Sequence, residues 1–440
     1  MFAPALLALL CVAGASPGDP PAPENNDDAD ADANTGDAAA AGDTPWTWQF
    51  GGLPALGFDA DNGVLVGAIG NVYFQDGETE PYRLALQLQI LITHKLVQDH
   101  ALKFDALKVG GLPLRLTGSV GWSQSLTQNY CGQGLKVTCD DALAEAEADR
   151  RGLDGSSRDD FVRRFYLHRF MNPFAGVTGR WAFTPLPHRI EAFGGWRGSV
   201  YIPGTWADDD GDGAADTHPY PGSFYERDFP EGEGGFASVV QAGVMLDTRD
   251  NEPSPRRGFW LESSMRAATS AWGSSWNWAG ANATARVFLP ILDGEAPLRL
   301  TLANRLVFDA VVGDIPIQEL VRPGGFTEYL SFGGADMGRG IRVQRYVGKL
   351  KVFGQSELRW RFVEWQMFGS NFALSTNGII DVGYVGVEVF DQEPGGQVPF
   401  GVGGAVLFHW NENFMLRVEV ATSAIENYGT SVYITLGQSF

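Results

Sequence analysis

The sequence predicts an all-β chain, a 16-stranded antiparallel transmembrane β-barrel, on three observations. Apolar and polar residues alternate with period two over runs of about ten or eleven residues, the length a tilted strand needs to cross a bilayer, whereas soluble strands average about five or six. The longest connections follow odd-numbered runs. The final run, Val432 to Phe440, alternates and stops on an aromatic residue. Val432, Ile434, Leu436 and Phe440 share one parity, and Tyr433, Thr435, Gly437 and Ser439 take the other. An edge strand of a soluble β protein reads the same way in isolation, so the remaining runs decide.

The bulk numbers agree with a barrel. A chain of 440 residues holds two or three ordinary domains or one large β domain. Mean hydropathy is -0.11, and no segment after the N-terminal apolar run approaches the roughly 18–20 residues of a membrane helix. In a barrel only alternate residues face lipid, so hydropathy averages out near zero. A formal charge of -21 excludes nucleic acid as a partner, because no basic block is present to neutralise phosphates. The same carboxylates suit a solvated surface before assembly, or a face that binds divalent cations.

Residues 1–15 read as a signal peptide, with Ala13-Gly14-Ala15 as the cleavage site. No Lys or Arg stands near the start, so either the signal is atypical or the true start lies upstream. Leu10 before Cys11 makes a poor lipoprotein box, which favours ordinary cleavage. Residues 16–45 form an acidic linker of Ala, Asp and Pro that should be disordered, too short for a folded periplasmic domain. Residues 46–440 form the barrel. Its sixteen runs begin near Trp46, Gly63, Tyr82, Ala101, Pro113, Phe161, Arg189, Phe236, Gly258, Trp278, Leu298, Lys349, Asn371, Phe400, Phe414 and Gly429.

In the third run Tyr82, Leu84, Leu86, Leu88, Ile90 and Ile92 share a face opposite Arg83, Ala85, Gln87 and Gln89. In the eleventh, Leu298, Leu300, Leu302, Leu306 and Phe308 oppose Arg299, Thr301, Ala303, Arg305 and Asp309. The long connections, 127–160, 203–234 and 313–340, follow runs five, seven and eleven, while most turns after even runs are short. That phase belongs to a barrel with both ends in the periplasm.

Cys131 and Cys139, a close pair in an exported chain, read as a loop disulfide. Asp208, Asp210, Asp212 and Asp216 alternate around Gly211 and Gly213 as a candidate Ca2+ loop. Pro219 stands where an EF-hand carries its bidentate Glu, and a merely solvated acidic loop fits equally. The six histidines form no nucleophile or metal pattern, so catalysis is not expected. His409, beside Trp410, reads as an interfacial girdle residue.

Two segments resemble the BamA/TamA-type bacterial surface antigen superfamily. The first is Asp247-Thr248-Arg249-Asp250-Asn251 followed by Pro253, Pro255, Arg257 and Gly258, similar to a periplasmic turn of that family. The second, Phe332-Gly333-Gly334-Ala335-Asp336-Met337-Gly338-Arg339-Gly340-Ile341, resembles the motif of its long sixth external loop, which folds inward. Gly338 and Ile341 depart from the usual V/I-R-G-Y/F, whereas Arg339-Gly340 is kept. The resemblance implies that Arg339 enters the lumen and pairs with Glu357 and Asp381. Parity puts both carboxylates opposite apolar neighbours, where an outward charge would cost roughly 2–4 kcal/mol near the midplane. A pairing of Glu357 with Arg359 or Arg361, leaving Arg339 to cap an external loop, remains open at this point.

The terminal strand is similar to the C-terminal insertion signal of bacterial outer-membrane barrels, with Tyr433, Leu436 and Phe440 as its signal residues. The family further implies help in outer-membrane protein insertion or polypeptide translocation through a seam between first and last strands, with no cofactor. Its partners would be outer-membrane lipid, nascent outer-membrane polypeptides and a separate periplasmic protein. A passive pore, or a surface-structural barrel with calcium-binding external loops, is the alternative.

Overall fold

The computed structural model describes residues 46–440 apart from 60–61, 80, 137–138, 185–187, 205–218, 231, 253, 328–331, 391–394, 412–413 and 427–428. The expected signal peptide (1–15), the linker (16–45) and the acidic loop with Asp208, Asp210, Asp212 and Asp216 lie outside the described residues.

Sixteen strands close into an antiparallel barrel in which each pairs with its sequence neighbours and the first meets the last. They are β1 (Thr47–Asp59), β2 (Gly63–Gln75), β3 (Leu84–Thr93), β4 (Gln98–Ala106), β5 (Leu114–Asn129), β6 (Leu167–Ala182), β7 (Arg189–Pro203) and β8 (Gly235–Asp247). The second half comprises β9 (Gly258–Ala268), β10 (Trp278–Asp293), β11 (Arg299–Gly313), β12 (Leu350–Met367), β13 (Ser370–Gly386), β14 (Phe400–Trp410), β15 (Phe414–Ser423) and β16 (Thr430–Leu436). No described helix is long and apolar enough to cross a membrane.

Alternation builds the wall. On β11, Leu306 and Phe308 are exposed while Arg305, Val307 and Asp309 are buried; on β3, Leu88 and Ile90 are exposed while Gln89 is buried. A closed antiparallel wall pairs its backbone groups internally, which lets a half-polar sequence stand in a hydrocarbon layer. The phase survives only between bulges. Register shifts between Arg361 and Val363 on β12, and between Pro290 and Leu292 on β10, mark where simple parity stops.

Two boundaries differ from the sequence expectation. The fourth strand starts at Gln98 rather than near Ala101. The sixth starts at Leu167, because the residues around Phe161 form a helix. The loop between β5 and β6 carries α1 (Asp141–Arg150) and α2 (Gly155–Arg164). Phe161 and Phe165 meet across one helical turn, 5.7 Å between ring centroids, a spacing of four that a period-two reading mistakes for the start of a strand. The loop between β7 and β8 holds α3 (Phe224–Asp228), and the one after β11 holds α4 (Ile317–Leu320).

At the long-loop end, Tyr130 packs edge-on to Tyr225 and Phe229, and its hydroxyl donates to Asp228 (2.8 Å). Phe165 and Tyr166 join Phe224, so the β5–β6 and β7–β8 loops share one aromatic cluster. The Cys131–Cys139 disulfide lies beside it, against Phe165, Tyr166 and Ala144.

Candidate functional site

The glycine-rich segment after β11 is shaped by its own backbone. Gly333 N–H donates to the Met337 carbonyl (2.6 Å) and Gly334 N–H to that of Ile341 (2.9 Å), which folds the segment into a tight knot. Phe332 stacks on Phe353 of β12, 4.6 Å between centroids, over Gly383 of β13, where any Cβ would stand 2.7 Å from the ring. Gly340 has φ +85 and presses on the Thr422 backbone, so a side chain there is both strained and crowded.

This knot carries Arg339 onto the inward carboxylates. Arg339 Nη2 donates to Asp381 Oδ1 (2.7 Å), and its Nε and backbone N–H both reach Oδ2 (2.9 and 2.8 Å). Nη1 donates to Glu357 Oε1 (2.5 Å) and to Glu419 Oε1 (3.0 Å) on β15. Arg359 Nε answers Glu357 (2.8 Å) and Arg417 Nε answers Glu419 (3.0 Å). Three cations thus meet three carboxylates in a buried cluster joining β12, β13 and β15. The geometry brings Arg339, Glu357 and Asp381 together with Gly340, and Glu357 contacts Arg359 as well. Glu419 and Arg417 were missed, although both alternate with valines in Arg417-Val418-Glu419-Val420, the same signal that marked Glu357.

The limb before the knot is tied elsewhere. Glu319 on α4 accepts two bonds from Arg197 (2.7 and 2.8 Å) and one from Tyr201 (2.6 Å), both on β7. Burial alone would raise the Glu319 carboxyl, yet Arg197 and Arg322 hold it down at about 2. Asp309 of β11 accepts from Arg266 of β9 (2.6 Å) and Gly324 N–H (2.8 Å), with Lys351 at 3.3 Å. No sequence signal links Glu319 to Arg197, because 122 residues separate them. Glu233, in the loop before β8, accepts from Ile317 N–H (2.6 Å), and burial pushes its carboxyl up to about 7.

The seam contrasts with this bracing. Among the described residues β1 meets β16 only through Phe58 with Ile434 and Asp59 with Tyr433, while β1 and β2 pair along their whole length. Below Ile434 the last strand slips behind the first. Leu436 packs against Ala55, Ile69 and Leu91, inward residues of β1, β2 and β3, and Gly437 (φ +80) then turns the chain. Phe440 is buried against Phe288, with the Arg305 and Arg359 guanidinium groups 4.8 and 5.0 Å from its ring. Phe440, which shares the parity of Val432, Ile434 and Leu436 in the sequence, lies beyond the end of β16, where alternation no longer sets its face. Tyr433 also faces inward, and its hydroxyl accepts from Gly340 N–H (3.2 Å).

The turn motif is braced from within, while Arg256 and Arg257 also pair with Asp293 of β10. Asp247 accepts from Arg249 N–H (3.0 Å) and Nη2 (2.7 Å), Asp250 from Arg256 N–H (2.9 Å), and Asn251 from Ser254 N–H (2.8 Å). Gly258 has φ +97 with the Thr248 carbonyl 2.3 Å from any Cβ, so only glycine fits. His409 is an inward residue and not a girdle one. It meets Ser375 Oγ at 2.8 Å, but Arg361 stands 3.5 Å from its other nitrogen, where a hydrolytic triad needs a carboxylate. A cavity of about 510 Å³ lies along β2–β7, bordered by Asn71, Tyr73, Gln87, Lys103, Asp105 and Arg197.

No protein-family model matches the chain, and no curated protein sequence matches it. Solved structures do. BamA from Haemophilus ducreyi lacking POTRA domains 1-3 aligns with a TM-score of 0.51 at 12% identity, over 89% of this chain and 69% of that one. CdiB from Escherichia coli aligns with a TM-score of 0.56 at 10% identity, over 88% of this chain and 62% of that one. The chain thus spans less than two thirds of the CdiB chain. At such identities the likeness is one of fold.

Proposed function

We propose that this chain is a bacterial outer-membrane barrel of the BamA/TamA type that helps polypeptide insert into or cross the outer membrane through the β1–β16 seam. The carrying observation is the seam itself, joined among the described residues by Phe58–Ile434 and Asp59–Tyr433 alone in an otherwise continuous wall. An unpaired strand edge in lipid is a standing template for another strand. Arg339 acts as a clamp that keeps β12, β13 and β15 rigid while the seam works, and the chemistry is passive, with no nucleotide or redox step. A separate periplasmic protein would supply client recognition.

The test is the folding rate of an unfolded outer-membrane barrel precursor in liposomes that contain this protein. Acceleration should disappear when Phe58→Cys and Ile434→Cys are oxidised to lock the seam, and return on reduction. No acceleration in either state would sink the reading. The cavity along β2–β7 favours a second reading, a solute pore. Steady conductance in planar bilayers, indifferent to Arg339→Ala, would support that alternative.

A further inference from the structure

Backbone bonding along the free edge of β1 can be assigned residue by residue. A strand's N–H and C=O groups point alternately to its two neighbours. His94 N–H donates to the Val64 carbonyl (2.9 Å), so even-numbered residues of β2 face β3 and odd ones face β1. Odd pairs with odd in the β1–β2 register, as in Gly57 with Leu65. Trp48, Phe50, Gly52, Pro54, Leu56 and Phe58 therefore turn their backbone groups toward the seam. On β16, Gly437 N–H donates to the Met415 carbonyl (2.8 Å), so even residues there face β1. The pair Phe58–Ile434 obeys both assignments.

Continuing that register would set Leu436 opposite Leu56, Gln438 opposite Pro54 and Phe440 opposite Gly52. Proline has no N–H. Gln438 would meet a partner able to accept but not to donate, and its own carbonyl would go unanswered in hydrocarbon, which a spanning strand does not sustain. The last strand leaves the wall before reaching that position and tucks inside. Against β2, Pro54 loses nothing, because its pair with Ala68 is not a bonded one.

We propose that Pro54 divides the free edge, holding the seam unsealed below Phe58 and reserving Trp48, Phe50 and Gly52 for an added strand. The partner this segment fits is a short extended polypeptide of about five residues, with apolar side chains to lie beside Trp48 and Phe50, which are 68% and 69% exposed. The strand-accepting half rests on the function proposed above; the seam-holding half does not.

Two measurements on the folded, detergent-solubilised protein test it, with heat-modifiable gel migration as the check on folding. Oxidative cross-linking of Leu56→Cys with Leu436→Cys should be poor with Pro54 present. It should rise by about three- to tenfold in Pro54→Ala, the weight of one regained hydrogen bond. Equal yields would overturn the role of Pro54. A biotinylated peptide copying Thr430–Phe440 should label a photoreactive benzoylphenylalanine at Phe50 but not one at Leu56, and Pro54→Ala should weaken the label as the chain's own tail takes the edge. Equal labelling at both positions, or none, would overturn the strand-accepting segment. If the insertion assay still responds to the seam lock while labelling fails, the proposed function stands and only this site falls.

Discussion

Two sides of the barrel interior use the same residue types to different effect. Along β12–β15, Arg339, Arg359 and Arg417 meet Glu357, Asp381 and Glu419, and none of the six side chains is more than 8% exposed. Along β4 and β5, Arg115 and Asp105 form an ion pair 28% and 19% exposed at the border of the cavity. Apart from Arg339, which a loop delivers, all of these charges stand on strands and turn inward. What separates them is whether a loop covers them, and the cover decides the energetic weight. A buried charge that loses its partner is stranded, while one beside a cavity is rescued by water.

That contrast can be broken from the covered side first. Asp381→Ala leaves the buried cluster with one uncompensated positive charge, Arg339 keeping Glu357 and Glu419, and should cost about 3–5 kcal/mol, read as a lower midpoint in heat-modifiable gel migration; an unchanged midpoint would refute the clamp. Gly401→Ala should come next, at about 1–3 kcal/mol, since its Cβ would stand 2.0 Å from the Arg339 carbonyl.

A smaller effect concerns Glu233. Its carboxyl titrates near 7 when folded, against an ordinary value of 4.5, so the folded loop holds the extra proton between those limits. The stabilisation is complete below about pH 4.5 and is lost as pH rises through about 7. Hydrogen exchange at the Ile317 amide, corrected for intrinsic rate, should therefore speed up from pH 5 to pH 8, and Glu233→Gln should flatten the trend. The smallest change belongs to the open side. Asp105→Asn should shift the midpoint by less than about 1 kcal/mol, and a loss as large as that of Asp381→Ala would erase the distinction.

Much of the wall was legible in the residues. Leu88 and Ile90 against Gln89, and Leu306 against Arg305, announce their faces because a lipid-facing strand tolerates no other order. Glu357 and Asp381 stood out for the same reason. Alternation is silent wherever the chain is not a strand. Phe161 joins a helix whose rings repeat at four, Phe440 lies beyond a left-handed turn at Gly437, and Glu319 finds Arg197 only because the barrel closes. The meaning of Pro54 was equally hidden, since a proline matters there only once the side it faces is known.

The six-ion cluster under Arg339 sums to zero charge and is sealed from solvent, which fixes how the molecule answers to salinity. Dissolved salt screens exposed pairs over roughly 10 Å at 0.1 M but reaches buried ones far less. Pairs at the long-loop end such as Lys349–Glu388 will fade in brine, whereas the clamp will not. Added salt would thus weaken the exposed pairs at the long-loop end and leave the inner fastening unaltered.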